Sequence, residues 1–340
     1  MDLSVRVGRK NSKKVECEEK KMKKILMTIM TIGLVAGIGL AGCGKQENEA
    51  TASTEKTEQN LPTKDRSGKE ISLPKEATKI VSLVPSVTEV IDDIGKTNEL
   101  VAVDMQSGSL NEALQALPQM DMMAIDAEKL IALKPQIVYV NDINLASSES
   151  VWQQVEDAGI TIVNIPTSTS IQAIKEDVQF IADSLSEHEK GQKLVDKMTQ
   201  EIDDVAKIGK TIKNQKSVLF EVAALPDIYS FGSGTFLNEM IETIGAKNVL
   251  ANEKGWLPVG EEAAIAAKPD VILTNVDYID DPAKEILERK NWEKVPAVQN
   301  KEVFAIDNRS SSLPNHHMTK ALKQMAKAIY PEAYKDLKDE

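Results

Sequence analysis

At residues 89–100 the chain reads EVIDDIGKTNEL, and at residues 239–250 it reads EMIETIGAKNVL. Both copies keep Glu, Ile, an acidic residue, Ile, Gly, Asn and Leu at a constant offset of 150 residues. Ile91 and Ile94, like Ile241 and Ile244, have helical spacing, and Gly95 and Gly245 stand where a helix ends. A second pair follows, EKLIALKPQIVYV from Glu128 and EAAIAAKPDVILT from Glu262, at an offset of 134. In each, a short apolar helix is expected to be stopped by proline and followed by a buried β-branched strand. Internal repetition of this kind predicts two similar α/β lobes with mainly parallel sheets.

Working outward, residues 64–169 form the first lobe and 214–340 the second. Arg66-Ser67-Gly68-Lys69 reads as a turn between short strands, and Lys79 to Val84 as the first core strand. Residues 170–213 carry Ile171, Ile174, Val178, Ile181, Leu185, Leu194, Met198, Ile202 and Val205 at helical spacing. At least one long helix is expected to join the lobes there.

The N-terminal end is an address rather than a fold. From Met22 two lysines precede an apolar run, Ile25 to Leu40, and then Ala41-Gly42-Cys43. That is the secretory pattern, and its run of 16 residues falls short of the roughly 20 that span a bilayer. Residues 1–42 are therefore expected to be a signal peptide, with translation starting at Met22. Residues 43–63 are rich in Glu, Gln, Thr and Lys, and poor in apolar side chains, so they are expected to be a flexible tether.

The 340 residues carry 41 Lys/Arg against 53 Asp/Glu, a net charge of −12. Without residues 1–42, which hold nine basic and four acidic side chains, the charge is −17. Phosphate neutralisation dominates nucleic-acid affinity, so a chain this acidic is not expected to bind nucleic acid. Cys17 and Cys43 are the only cysteines, which excludes a multi-cysteine metal centre and leaves the body without a disulfide.

Taken together, the Cys43 pattern, KIVSLVPSVTEVIDDIG at 79–95, the two Glu-to-Lys-Pro segments and the bridging helix resemble the ABC-transporter substrate-binding proteins for ferric siderophores, haem and cobalamin. The resemblance covers about residues 64–335. It implies two α/β lobes joined by one rigid helix, a ligand cleft between them, and no enzymatic activity. It also implies a lipid on Cys43, anchoring on the extracytoplasmic face of a membrane, and a monomeric body that meets a permease dimer and its ATPases. One glutamate per lobe, Glu128 and Glu262, would dock on the two permease subunits. The bland alternative is a pair of solvent-facing carboxylates at helix N-termini.

Ligands of open α/β lobes bind beyond the carboxyl ends of the strands. That rule singles out Ser86 and Thr88 after the first strand and the loop from Asp104 to Met123. The fall in offset from 150 to 134 gives that loop about 16 extra residues. Its Met105, Met120, Met122 and Met123 suit a large flat apolar ligand, or simply a core. In the second lobe the corresponding loops hold Tyr229, Phe231 and Trp256, with Asn141, Asp142, Asn275 to Tyr278 and Asp307 to Arg309 ending other strands. The resemblance places Trp256 and Tyr229 where cobalamin binders carry aromatics. Met122 stands where those proteins have a second tryptophan.

The expected ligand is thus a metal chelate (a ferric complex, haem or cobalamin), with no intrinsic cofactor. Arg66, Arg289 and Arg309 are the only arginines beyond residue 42, and Arg309 alone sits in a cleft loop, which disfavours polyanionic catecholate complexes. Neighbouring residues on a helix point about 100° apart, so His316 and His317 are not expected to share a metal. His317 remains a candidate axial ligand to haem iron. Enzyme motifs are weak: Gly95-Lys96-Thr97 and Gly209-Lys210-Thr211 lack the upstream glycine of a P-loop, and Ser233 lacks nucleophile-elbow spacing.

Overall fold

The computed structural model describes residues 61–147 and 149–338. The first lobe is a five-stranded, all-parallel sheet made of β1 (Ile80–Ser82), β2 (Leu100–Asp104), β3 (Gln119–Met120), β4 (Ile137–Val140) and β5 (Thr161–Asn164), in the order β3-β2-β1-β4-β5. The second lobe repeats it with β6 (Ser217–Glu221), β7 (Lys247–Asn248), β8 (Val271–Thr274) and β9 (Val303–Ala305), in the order β9-β8-β6-β7. The extra residues of the first lobe build β3, an edge strand with no counterpart in the second.

Both sheets are covered on both faces, which is why their central strands read as apolar runs rather than alternations. Ile80, Ile137, Tyr139 and Val163 enter one core of the first lobe, and Val81, Val138, Val140 and Ile162 the other. In the second lobe Val218, Phe220, Val271 and Leu273 enter one core, and Leu219 and Ile272 the other.

The repeated helices end alike. In the first lobe α1 (Pro85–Asp93) closes with Gly95 at φ +76, and in the second the helix Phe236–Thr243 closes with Gly245 at φ +83. Glycine carries this left-handed turn without the Cβ penalty. The Lys-Pro stops work differently from the expectation. The helices Ala127–Ala132 and Glu261–Ala266 end on lysines in left-handed backbone, Lys134 at φ 53 and Lys268 at φ 47. The proline that follows disfavours the right-handed helical region for the residue before it, so the lysine itself makes the turn.

Two helices, not one, join the lobes: Ile171–Ser184 and His188–Gly209, here called the first and second bridging helices. Each contributes to both lobes. Ile171 and Ile174 pack in the second lobe's core, while Val178, Ile181 and Ala182 of the same helix pack in the first. The second bridging helix reverses this, with Leu194 and Val195 against the first lobe and Met198, Ile202 and Val205 in the second. Gly191 lets the two helices touch, since a Cβ there would lie 2.4 Å from the Ala182 Cβ. Gly209 ends the bridge against the turn of Gly245, where a Cβ would meet the Thr243 carbonyl oxygen at 2.2 Å. The Gly209-Lys210-Thr211 stretch is a packing device.

Candidate ligand-binding cleft

In the first sheet β1 lies between β2 and β4, so the chain leaves β1 and β4 in opposite directions and opens a crevice at their carboxyl ends. Ser86 after β1 and Asn141 after β4 stand at that crevice. They line a cavity of about 180 Å³ together with Met122, and with Leu313 and Pro314 from the second lobe. Its floor is the first bridging helix, through Asp177, Val178 and Ile181. Burial pushes the Asp177 carboxyl up, against the opposing effect of hydrogen bonds from Ser168 and Arg66.

Large apolar side chains that stay exposed beside a cleft are candidates for its binding surface. Among the described residues these are Met105, Met123, Ile143, Tyr229, Trp256 and Tyr278. Three follow strands of the first lobe and three belong to the carboxyl-end segments of the second. Tyr229 and Trp256 stand on a frame the sequence did not show. Tyr229–Phe231 and Trp256–Pro258 are not loops but an antiparallel strand pair, with Phe231 opposite Trp256. Phe231 is therefore fully buried and serves as the base on which Trp256 packs edge-on, at 5.6 Å between ring centroids. Trp256, 42% exposed, and Tyr229, 39% exposed, are left free to meet a ligand. The Tyr278 hydroxyl accepts a hydrogen bond from the Ala224 N–H at 2.9 Å, which ties its ring to the end of β6.

Several sequence-based assignments change. Thr88 is fully buried, one turn into α1; its hydroxyl donates to Ser82 Oγ at 2.8 Å, and it touches no cleft space. It sits over Asp104, whose carboxylate accepts from the N–H groups of Gln106 and Ser107, both at 2.9 Å, and so shapes the turn presenting Met105. Met122 is held through its carbonyl, which accepts from Asn144 Nδ2 at 3.0 Å. Asn144 in turn exchanges side-chain-to-backbone bonds with Asn141. Of the loop methionines, Met120 packs beneath the sheet and Met105 and Met123 face outward.

Arg309 is not a free cleft cation. Its guanidinium bonds Glu89 of the first lobe, a carboxylate only 3% exposed, which also accepts from Asn315 Nδ2. Glu239, the repeat partner of Glu89, accepts from the Ile171 N–H at 2.7 Å and caps the first bridging helix. Arg66 bonds Asp177 and Glu176, and Arg289 forms a two-pronged pair with Glu221 inside the second lobe. Each arginine among the described residues is thus engaged by a carboxylate, while Arg309 Nη2 is buried without a hydrogen-bond partner.

His316 and His317 lie in the turn before the helix Met318–Ile329, so helical divergence does not apply to them. Their rings stack at 4.1 Å and both Nε2 atoms reach one oxygen of Asp93, at 2.7 and 2.8 Å. The hydrogen bond to Asp93 raises the His317 pKa, against partial burial. Burial of Asp93 acts to raise its own pKa, but the two imidazoles outweigh it and hold it well below the carboxylate range. Asp93 is seven residues beyond Ser86 along α1, roughly 10 Å at 1.5 Å per residue, so His317 is not placed as an axial ligand in the cleft.

Glu128 and Glu262 are both exposed, each the second residue of its short helix. Glu261, beside Glu262, turns inward and accepts from Trp292 Nε1 at 3.0 Å. Cys43 lies outside the described residues.

Two lobes with parallel sheets, a helical bridge and a cleft at the strand ends define a solute-binding protein. The chain belongs to the periplasmic binding protein family, whose model matches residues 80–310. It is similar to YvrC of Bacillus subtilis, an uncharacterized ABC transporter substrate-binding lipoprotein, at 30% identity over 307 residues, 89% of this chain and 96% of that one. It is also similar to the molybdate-binding protein MolA of Haemophilus influenzae, at 26% identity over 306 residues, 80% of this chain and 86% of that one. The molybdate-bound MolA structure has the same fold, with a TM-score of 0.71, 22% identity, and coverage of 82% and 94%. A vitamin B12-binding protein of Vibrio cholerae is 25% identical over 256 residues, 75% of this chain and 90% of that one.

Replacing Arg309 by Ala should leave Glu89 buried with only its asparagine partner. Chemical denaturation is expected to show a loss of about 1–3 kcal/mol, the cost of a buried acceptor left short of a donor.

Proposed function

We propose that this protein is the extracytoplasmic capture component of an ABC importer for a bulky metal chelate, either a cobalamin-type corrinoid or a ferric complex, with haem as the alternative. The observation that carries the reading is that Met105, Met123 and Ile143 stay exposed on one lobe and Tyr229, Trp256 and Tyr278 stay exposed on the other. Such surfaces suit a large, flat, mostly apolar ligand. The cavity of about 180 Å³ at the base would take an edge of it, and the exposed side chains the remainder. With Arg66, Arg289 and Arg309 all paired, a neutral or weakly charged chelate is favoured over a catecholate complex.

A small oxyanion such as the one MolA binds is a second reading, favoured by the cavity's size alone. It leaves the exposed aromatic and methionine side chains without a role. Among the described residues no helix is long and apolar enough to cross a membrane. The proposed attachment to the membrane is a lipid on Cys43. Glu128 and Glu262, exposed at equivalent places in the two repeats, are the proposed contacts to the two permease subunits.

Tryptophan fluorescence tests the ligand. The protein is titrated separately with cobalamin, haem, ferric hydroxamates and molybdate, with inner-filter controls. Saturable quenching by one chelate, lost in Trp256→Phe, is the expected result; a saturable response to molybdate alone would overturn the chelate reading. For docking, Glu128→Ala combined with Glu262→Ala should abolish uptake in cells while leaving chelate affinity unchanged. Weakened affinity would place these carboxylates in the pocket instead.

A further inference from the structure

The Asp93–His316–His317 cluster is separate from the cleft and is not used by it. Among the described residues it is the one group of three His, Cys, Asp or Glu side chains whose ligand atoms all lie within 4.8 Å of one another. Asp93 comes from the end of α1 in the first lobe, and both histidines come from the second lobe. We propose that these three side chains form a site for a zinc-like divalent transition-metal ion, which cross-links the two lobes beside the bridging helices.

Two imidazoles and one carboxylate are a donor set of the kind that holds zinc, with bonds of about 2.0–2.2 Å. Both Nε2 atoms already converge on one Asp93 oxygen, at 2.7 and 2.8 Å. An ion replacing the shared protons needs each imidazole nitrogen to part from the carboxylate oxygen by only about 0.6 Å. The turn is also held in place before any ion arrives. Asn315 Oδ1 accepts from the His317 N–H at 2.9 Å, while Asn315 Nδ2 donates to Glu89 across the seam.

A cavity of about 270 Å³ adjoins the three residues, lined also by Lys197 and Glu201, and gives room for a water as fourth ligand. Glu201 accepts from Lys323 at 2.8 Å and is not placed as a ligand. Lys197 faces the same space and opposes a cation, so the site is of moderate affinity and favours ions that bind imidazole strongly.

The test is titration of the chelator-stripped, full-length protein with Co²⁺, followed by its visible absorption, with Zn²⁺ as competitor. Asp93 and His317 are 38% and 47% exposed, so Asp93→Asn and His317→Ala should keep the fold, which circular dichroism checks. The expected result is one Co²⁺ per chain, displaced by Zn²⁺, with affinity reduced ten-fold or more in each variant. Absence of a saturable cobalt spectrum, or a midpoint unmoved in either variant, would overturn the site. Quenching of Trp256 by chelate is independent of this outcome, so failure here leaves the cleft reading standing.

Discussion

The structure depends on one shared apolar stripe. The two bridging helices do not merely connect the lobes; each buries side chains in both cores. Ile171 and Ile174 belong to one lobe and Val178 and Ile181 to the other, within three turns of a single helix. Swinging the lobes widely apart would strip these side chains from one core, at about 25 cal/mol for each Å² of apolar surface exposed. The Gly191–Ala182 approach and the seating of Gly209 on Gly245 leave little slack at either end. A cleft built on such a bridge holds its width, and the ligand must fit the gap already present.

Polar contacts across the seam act in the same sense. Glu89 holds Arg309 and Asn315, and Glu239 caps the first bridging helix. The two glutamates occupy the same position of the repeat, and each reaches beyond its own lobe's helix. These pairs also set the electrostatics of the cleft. The seam engages Arg309, and Arg66 and Arg289 are held by carboxylates elsewhere, so an acidic chain presents a largely apolar binding surface.

Much of this organisation was legible in the sequence because it follows from local periodicity. The repeat of 89–100 at 239–250 gave the two lobes, and the Ile/Val runs after Lys-Pro gave the strands. Met122, Tyr229 and Trp256 lie in segments that the strand-end rule singles out, but the last two stand on a short strand pair rather than in loops. What stayed hidden depended on contacts between distant segments. Thr88 and Phe231 read as cleft residues because nothing local tells which face of a helix or hairpin is covered. Arg309 read as a free cation because its partner lies 220 residues away. The convergence of His316 and His317 was missed by placing them on a helix, when the helix begins at Met318.

A bridge of this kind has the ligand captured between lobes held at fixed spacing. Small-angle X-ray scattering tests it directly, on the protein alone and saturated with the chelate that quenches Trp256. Nearly superimposable profiles are expected, with the radius of gyration changed by less than about 1 Å, the scale of interface movement in pre-organised complexes. Gross compaction on binding would contradict it and show that the helical bridge bends.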